Sequence, residues 1–85
     1  MANAYCRESG IALEAETDCC GVQFYAGNFI GEQTGKGGAA YHDRSAFCLE
    51  SQFYPNAVNE PDFPSPVVKA GHTYHTETSY RFYLR

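Results

Sequence analysis

One carboxylate in an otherwise apolar segment is the residue of this chain best suited to do chemistry. In FCLESQF, residues 47–53, apolar side chains alternate with Cys48, Glu50 and Gln52. Alternation of period two predicts a β-strand with two different faces. An ionised glutamate seldom lies in such a segment unless it is paired, hydrogen-bonded or functional. Glu50 is therefore a candidate for a structural ion pair or for a working carboxylate.

The sequence offers candidate partner residues for Glu50 in either case. A structural carboxylate would be held by backbone N–H groups, by Arg44 or by Arg81. Structural ion pairs are commoner than active sites, so composition by itself favours this explanation. A functional carboxylate would be grouped with other polar side chains, and Gln23 and Gln52 are the candidates.

Two other motifs are weaker candidates for a functional site. GEQTGKG resembles a phosphate-binding P-loop, but its spacing is one residue short and Gly37 replaces the Ser or Thr that binds magnesium. The four cysteines include no C-x-x-C spacing, and no histidine stands at a ligand spacing from them. We expect free thiols, no metal site and no cofactor.

The elements that must position Glu50 are short strands joined by loops. The predicted strands are 5–7, Ile11–Thr17, 21–27, 46–53, 67–68 and a long last strand in which residues 74, 76, 78, 80, 82 and 84 share a face. The first two form a hairpin around a Gly-containing link. Residues 31–43 are Gly-rich and predict a loop. Residues 54–66 hold all four prolines, with one helical turn at Ala57–Asn59.

Length and charge exclude several classes of protein. The 85 residues allow one domain at most, and a net charge of −4 argues against a nucleic-acid partner. No apolar run approaches the ~18 residues that a membrane span needs. The N-terminus has no basic start followed by an apolar stretch, so we expect a cytoplasmic protein.

Several spaced motifs, in order, resemble the C-terminal part of aldose 1-epimerases. They are GVQFYAGNF, GKGGAAY, AFCLESQFYPNAVNEPDFPSPVV and AGHTYHTETSYRF. The chain departs from the family pattern at Ala26, Ser51, Cys19-Cys20 and Ala70-Gly71-His72. The resemblance implies an all-β, galactose-mutarotase-like β-sandwich of which residues 1–85 are one C-terminal segment.

The resemblance also implies roles for two residues. Glu50 corresponds to the family's general base, and Gln23 to the glutamine that contacts sugar hydroxyls. The reaction interconverts the α and β anomers of a hexose such as galactose or glucose by acid–base ring opening. Around Glu50 we expect a dry setting from Phe47, Cys48 and Leu49, which would keep the carboxylate basic. Tyr25, Phe29 or Tyr54 could offer a face to the sugar ring.

The family's catalytic acid, a histidine, belongs to an N-terminal part that these residues do not match. His42 is a possible substitute. The alternatives to an enzyme are a non-catalytic module that binds carbohydrate or donates a strand, and a structural remnant. Strands cut from a larger sandwich leave open edges, so we expect a homo-oligomer or association with a missing N-terminal part.

Overall fold

The structure, a computed structural model, describes residues 2–85 and is built almost entirely of strands. These are β1 (Ala2–Tyr5), β2 (Ile11–Thr17), β3 (Gly21–Tyr25), β4 (Gln33–Thr34), β5 (Ala40–Tyr41), β6 (Cys48–Gln52) and β7 (Thr78–Leu84). The helical content of the described part is two short 3₁₀ turns, Lys36–Gly38 and Ala57–Asn59. The expectation of an all-β chain is confirmed, and so is the helical turn at Ala57–Asn59.

Three antiparallel sheets organise these strands. One has the order β1-β2-β7, the second pairs β3 with β6, and the third pairs β4 with β5. The β1–β2 hairpin that the sequence predicts is present, closed by a bond from the Cys6 N–H to the Ile11 carbonyl at 3.0 Å. β7 lies beside β2 although 60 residues separate them, in a register that places Leu13 opposite Phe82.

The first two sheets pack face to face in a small sandwich. Ala15 and Tyr80 from the first sheet and Val22 and Leu49 from the second line a gap of only about 10 Å³. That volume is at the lower limit for one water, so the layers meet at this point, although Val22 stays 41% and Tyr80 53% exposed. Because successive strand residues point to opposite faces, the inward set of β6 contains Leu49 and its outward set contains Glu50.

A chain of hydroxyl groups links the two layers beside this gap. The Thr78 hydroxyl lies 3.0 Å from that of Thr17 in its own sheet and 3.1 Å from that of Ser51 in the other. The Thr17 hydroxyl also accepts the Cys19 N–H at 3.1 Å. These partly buried contacts fix β6 against β7, and so they fix the strand that carries Glu50.

Asp18 holds the connection between β2 and β3. Its carboxylate accepts bonds from the Thr76 hydroxyl at 2.6 Å and from the Glu77 backbone N–H at 3.0 Å. These two donors lower the pKa of the Asp18 carboxyl, the Thr76 hydroxyl having the larger effect. Asp18 thereby ties the end of the first hairpin to the segment that leads into β7.

Several expected boundaries are wrong for local reasons. β1 is Ala2–Tyr5 instead of 5–7, because residues 6–10 are used in the turn. No strand forms at 67–68, a segment that directly follows Pro64 and Pro66 and has no pairing strand among residues 2–85. β7 begins at Thr78, where full pairing starts: the Thr76 hydroxyl and the Glu77 N–H bond to the Asp18 side chain, and just before Thr78 the Asp18 N–H donates to the Glu77 carbonyl at 3.2 Å.

The expected loop at 31–43 contains a small hairpin. β4 and β5 pair over two residues each, and the Gly35 N–H donates to the Ala39 carbonyl at 2.7 Å. Tyr41 folds back so closely over Gly35 that a Cβ there would overlap its ring. The Lys36–Gly38 turn that follows is a single 3₁₀ turn and lacks the strand-to-helix context of a phosphate-binding loop.

The hydroxyl chain gives a stability prediction. We expect Thr78→Val to lower the free energy of unfolding by about 1–2 kcal/mol, because it removes two partly buried hydrogen bonds at nearly constant shape. Urea unfolding at one fixed protein concentration would measure the change. Thr34→Val, an exposed threonine of β4, is the matched control and should change little. Equal effects of the two variants would show that the hydroxyl chain does not hold the layers together.

Candidate functional site

The β3–β6 ladder brings the two sequence-predicted site residues together. In its register Gln23 lies directly opposite Glu50. Side chains at directly opposite positions share a face, with Cβ atoms about 4.5–5.5 Å apart. Both residues are exposed, on the face of this sheet that points away from the β1-β2-β7 layer. A carboxylate and an amide are therefore presented side by side to the same space.

The expected dry setting around Glu50 is wrong for this chain. Strand alternation places Phe47 and Leu49 on the inner face, and Phe47 packs on Phe24 with a ring separation of 6.0 Å. Glu50 is on the outer face, where the neighbouring Cys48 is also exposed. The apolar neighbours along the strand thus order the sheet beneath Glu50, and they do not enclose its carboxylate.

Glu50 has no partner among residues 2–85 that would make it a structural ion pair. No basic side chain there lies within ion-pairing distance of Glu50. The Arg81 guanidinium is 3.9 Å from the Glu14 carboxylate, on another sheet. The Arg44 backbone N–H bonds to the Gly27 carbonyl at 2.7 Å, in the turn after β3. The Glu50 carboxylate remains available to a ligand.

Gln23 and Gln52 differ in how they are held. The Gln23 side-chain amide donates only to the carbonyl of its neighbour Phe24, at 3.3 Å, a local bond that a ligand could displace. Gln52 is half-buried on the same side of β6 as Glu50, opposite Gly21. These three side chains form a row on the outer face of the β3–β6 sheet, which we call the polar row. Gln52 lies at one end of it, and Gln23 and Glu50 lie at its centre.

The three aromatic candidates have different surroundings. Tyr54 is used structurally, since its hydroxyl donates to the Cys20 carbonyl at 2.9 Å and its ring meets Phe63 edge-on at 5.1 Å. Tyr25 shares the face of Gln23, and its hydroxyl accepts the Phe29 N–H at 3.0 Å. The Phe29 ring is 88% exposed. Tyr25 and Phe29 are thus the aromatic side chains available near the end of the polar row.

His42, the possible substitute acid, is paired within the loop between β3 and β6. Its Nδ1 lies 2.9 Å from the Glu32 carboxylate oxygen, an exposed pair at the β4–β5 hairpin. The His42 backbone N–H also bonds to the Ser45 hydroxyl at 3.1 Å. Both contacts belong to the loop between β3 and β6.

Neither a metal site nor a membrane helix occurs in the described part of the chain. Residues 2–85 contain no group of three or more His, Cys, Asp or Glu side chains that could hold a metal ion. The four cysteines are unbridged thiols. None of the helical segments described is long and apolar enough to cross a membrane.

Ser51 is the residue near the site whose contacts the sequence did not predict. It adjoins Glu50 in β6 and bonds through its hydroxyl to Thr78. The available signal was a polar side chain at an inward position of an otherwise apolar alternation, which calls for a buried partner. The position of that partner, 27 residues along the chain, was not readable from the pattern.

Comparisons with known proteins agree with the motifs. The family described as Aldose 1-epimerase matches residues 2–81. Galactose mutarotase from Bos taurus is 49% identical over 75 residues, and that from Homo sapiens 48%; each alignment covers 87% of this chain and 22% of the relative. Aldose 1-epimerase from Escherichia coli K12 is 32% identical over 83 residues, covering 95% of this chain and 24% of the relative. The chain thus spans about a quarter or less of these relatives, and it belongs to the aldose 1-epimerase family.

Proposed function

We propose that this chain supplies the general base and one sugar-binding side chain of an aldose 1-epimerase, with Glu50 as the base and Gln23 as the sugar contact. The observation that carries the proposal is the β3–β6 register, which sets Gln23 opposite Glu50 on one exposed face. Two motifs that the family resemblance marks separately along the chain meet at this point. The name of the mammalian relatives, galactose mutarotase, supports galactose or a similar hexose as the substrate.

The chemistry needs a proton acceptor beside a hydrogen-bonding group. The Glu50 carboxylate takes the proton of the anomeric hydroxyl while an acid protonates the ring oxygen. The C1–O5 bond breaks, the aldehyde rotates about C1–C2, and O5 attacks the other face of the carbonyl. The reverse proton transfers regenerate both groups, so the reaction consumes no co-reactant. Gln23 can donate to and accept from sugar hydroxyls, which suits it to hold the ring during this rotation.

The acid of the pair comes from outside these 85 residues in this proposal. The only histidine in the loop between β3 and β6 is His42, and it is paired with Glu32. The exposed face around Glu50 leaves room for a further part of an epimerase to close over the sugar. Closure would remove water from the carboxylate and raise its basicity, which is the dry setting that the chain itself lacks.

A hybrid enzyme tests the proposal. This chain would replace the matching 75-residue segment of the bovine galactose mutarotase, and anomerisation of α-D-galactose would be followed by polarimetry. We expect a functional hybrid, in which Gln23→Ala raises KM more than it lowers kcat because a binding contact is lost.

The control for Gln23→Ala is Gln33→Ala, an exposed glutamine in β4, which should leave both constants unchanged. A folded hybrid that binds galactose without anomerising it would support the non-catalytic carbohydrate module instead. Equal effects at positions 23 and 33 would remove the assignment of Gln23 as a sugar contact.

A further inference from the structure

The central pair of the polar row, Gln23 and Glu50, has a neighbouring pair on either side along the β3–β6 ladder. On the same face of the sheet these flanking pairs are Gly21 with Gln52 and Tyr25 with Cys48. Residues two apart in a strand are separated by about 6–7 Å, a spacing comparable to the width of a sugar ring with its hydroxyl groups. A hexose bound over Glu50 can therefore reach a flanking pair.

The two flanking pairs differ in what they offer to sugar hydroxyls. The Gln52 amide has an acceptor oxygen and two N–H donors, whereas the Cys48 thiol is a weak donor and a weak acceptor. The Tyr25 hydroxyl already accepts the Phe29 N–H at 3.0 Å, which leaves chiefly its O–H to offer. Sugar hydroxyls both donate and accept, so the pair that contains Gln52 is the better partner for them.

The Gln52 side chain is half-buried, and the bonds that Gln52 makes use its backbone. Its carbonyl accepts the Cys20 thiol at 3.8 Å, and its main chain pairs with Gly21. No buried side-chain nitrogen or oxygen atom of residues 2–85 lacks a hydrogen-bond partner, so the amide of Gln52 is still open to a ligand. Half-burial restricts the rotamers of a side chain, and less conformational entropy is then lost when a ligand binds to it.

An aromatic ring is fixed beside the Gly21–Gln52 pair. A Cβ at Gly21 would lie 3.0 Å from two atoms of the Tyr54 ring, so this ring fills the space of the missing side chain. The Tyr54 hydroxyl donates to the Cys20 carbonyl at 2.9 Å, and the ring meets Phe63 edge-on at 5.1 Å. Ligand sites typically combine a few placed polar groups with an aromatic surface, and this end of the polar row has both.

We propose that Gln52 is a second sugar-binding side chain of this site, and that it binds a hydroxyl on the far side of the ring from C1, at C3 or C4. The inference rests on the proposed function, in which Glu50 takes the proton of the anomeric hydroxyl. Because Gln52 lies one pair further along the ladder, it meets the opposite side of the sugar. Gln52 thus contributes to binding and to the choice of sugar, and it takes no part in proton transfer.

Deoxy sugars test this contact in the hybrid enzyme. Gln52→Met keeps the length of the side chain and removes its amide, so KM for D-galactose should rise about five- to tenfold while kcat stays within about twofold. The decisive measurement compares galactose with its 2-deoxy, 3-deoxy and 4-deoxy analogues. The unsubstituted hybrid should have a higher KM for the analogue that lacks the bound hydroxyl. In Gln52→Met the 3-deoxy or the 4-deoxy sugar should lose most of that penalty, because the amide partner is already gone.

Gln33→Met, the same substitution at an exposed glutamine of β4, is the matched control and should leave KM for every sugar unchanged. A KM that rises equally for all four sugars in Gln52→Met would overturn the proposal, because a structural disturbance does not select one hydroxyl. An unchanged KM would overturn it too, and so would a penalty lost only for the 2-deoxy sugar. The proposed function is judged separately by the kcat of Glu50→Gln, so a failure of the Gln52 contact would leave the assignment of the base intact.

Discussion

Replacing Glu50 with glutamine in the hybrid enzyme is expected to lower kcat about 100-fold or more. The substitution keeps the shape of the side chain and removes its capacity to accept a proton, and positioned acid–base groups typically contribute ~10²–10⁴-fold. KM should change far less, because the amide can still bond to the anomeric hydroxyl. Polarimetry with freshly dissolved α-D-galactose would measure both constants. The large loss in kcat would separate a base from a residue that only binds.

The matched control is Glu8→Gln, in the exposed turn between β1 and β2, which removes the same charge away from the polar row. Its kcat should equal that of the hybrid. A Glu50→Gln hybrid with unchanged turnover would eliminate Glu50 as the base. The base would then be another residue of the hybrid.

The second large effect concerns the 85-residue chain by itself. We expect it to anomerise galactose at no more than about one hundredth of the hybrid's rate, because a base without its acid loses one half of the proton-transfer pair. Adding the remaining N-terminal part of the bovine relative as a separate polypeptide should raise the rate. Polarimetry of the chain, with and without that polypeptide, is the measurement.

His42→Ala provides the decisive control for this expectation. In the structure His42 pairs with Glu32, so its removal should not alter the low rate of the isolated chain. Robust anomerisation by the pure chain that His42→Ala abolishes would contradict the expectation. It would make His42 the acid, donating through Nε2 while Nδ1 stays bonded to Glu32.

The local pattern of residue types predicted most of the strands, including the two that carry Gln23 and Glu50. Period-two alternation identified β2, β3, β6 and the C-terminal part of β7. In a strand whose two faces differ in environment, successive residues alternate between apolar and polar types. The predicted strand boundaries were wrong where a side chain takes the place of a backbone partner. Asp18 takes the N–H of Glu77, so the last strand starts later than its alternation indicates. Pairing of β4 with β5 over two residues is too short to leave a periodic signal.

The sequence by itself determined that the chain is all-β, that it belongs with the aldose 1-epimerases, and that Glu50 and Gln23 are its candidate site residues. Motifs carry this information because residue type and spacing are local. The tertiary structure alone decided that Gln23 faces Glu50, since register depends on which strands pair. It also decided that Glu50 is exposed on the outer face of its strand. Burial depends on what lies across a face, and no run of residues along one strand encodes that.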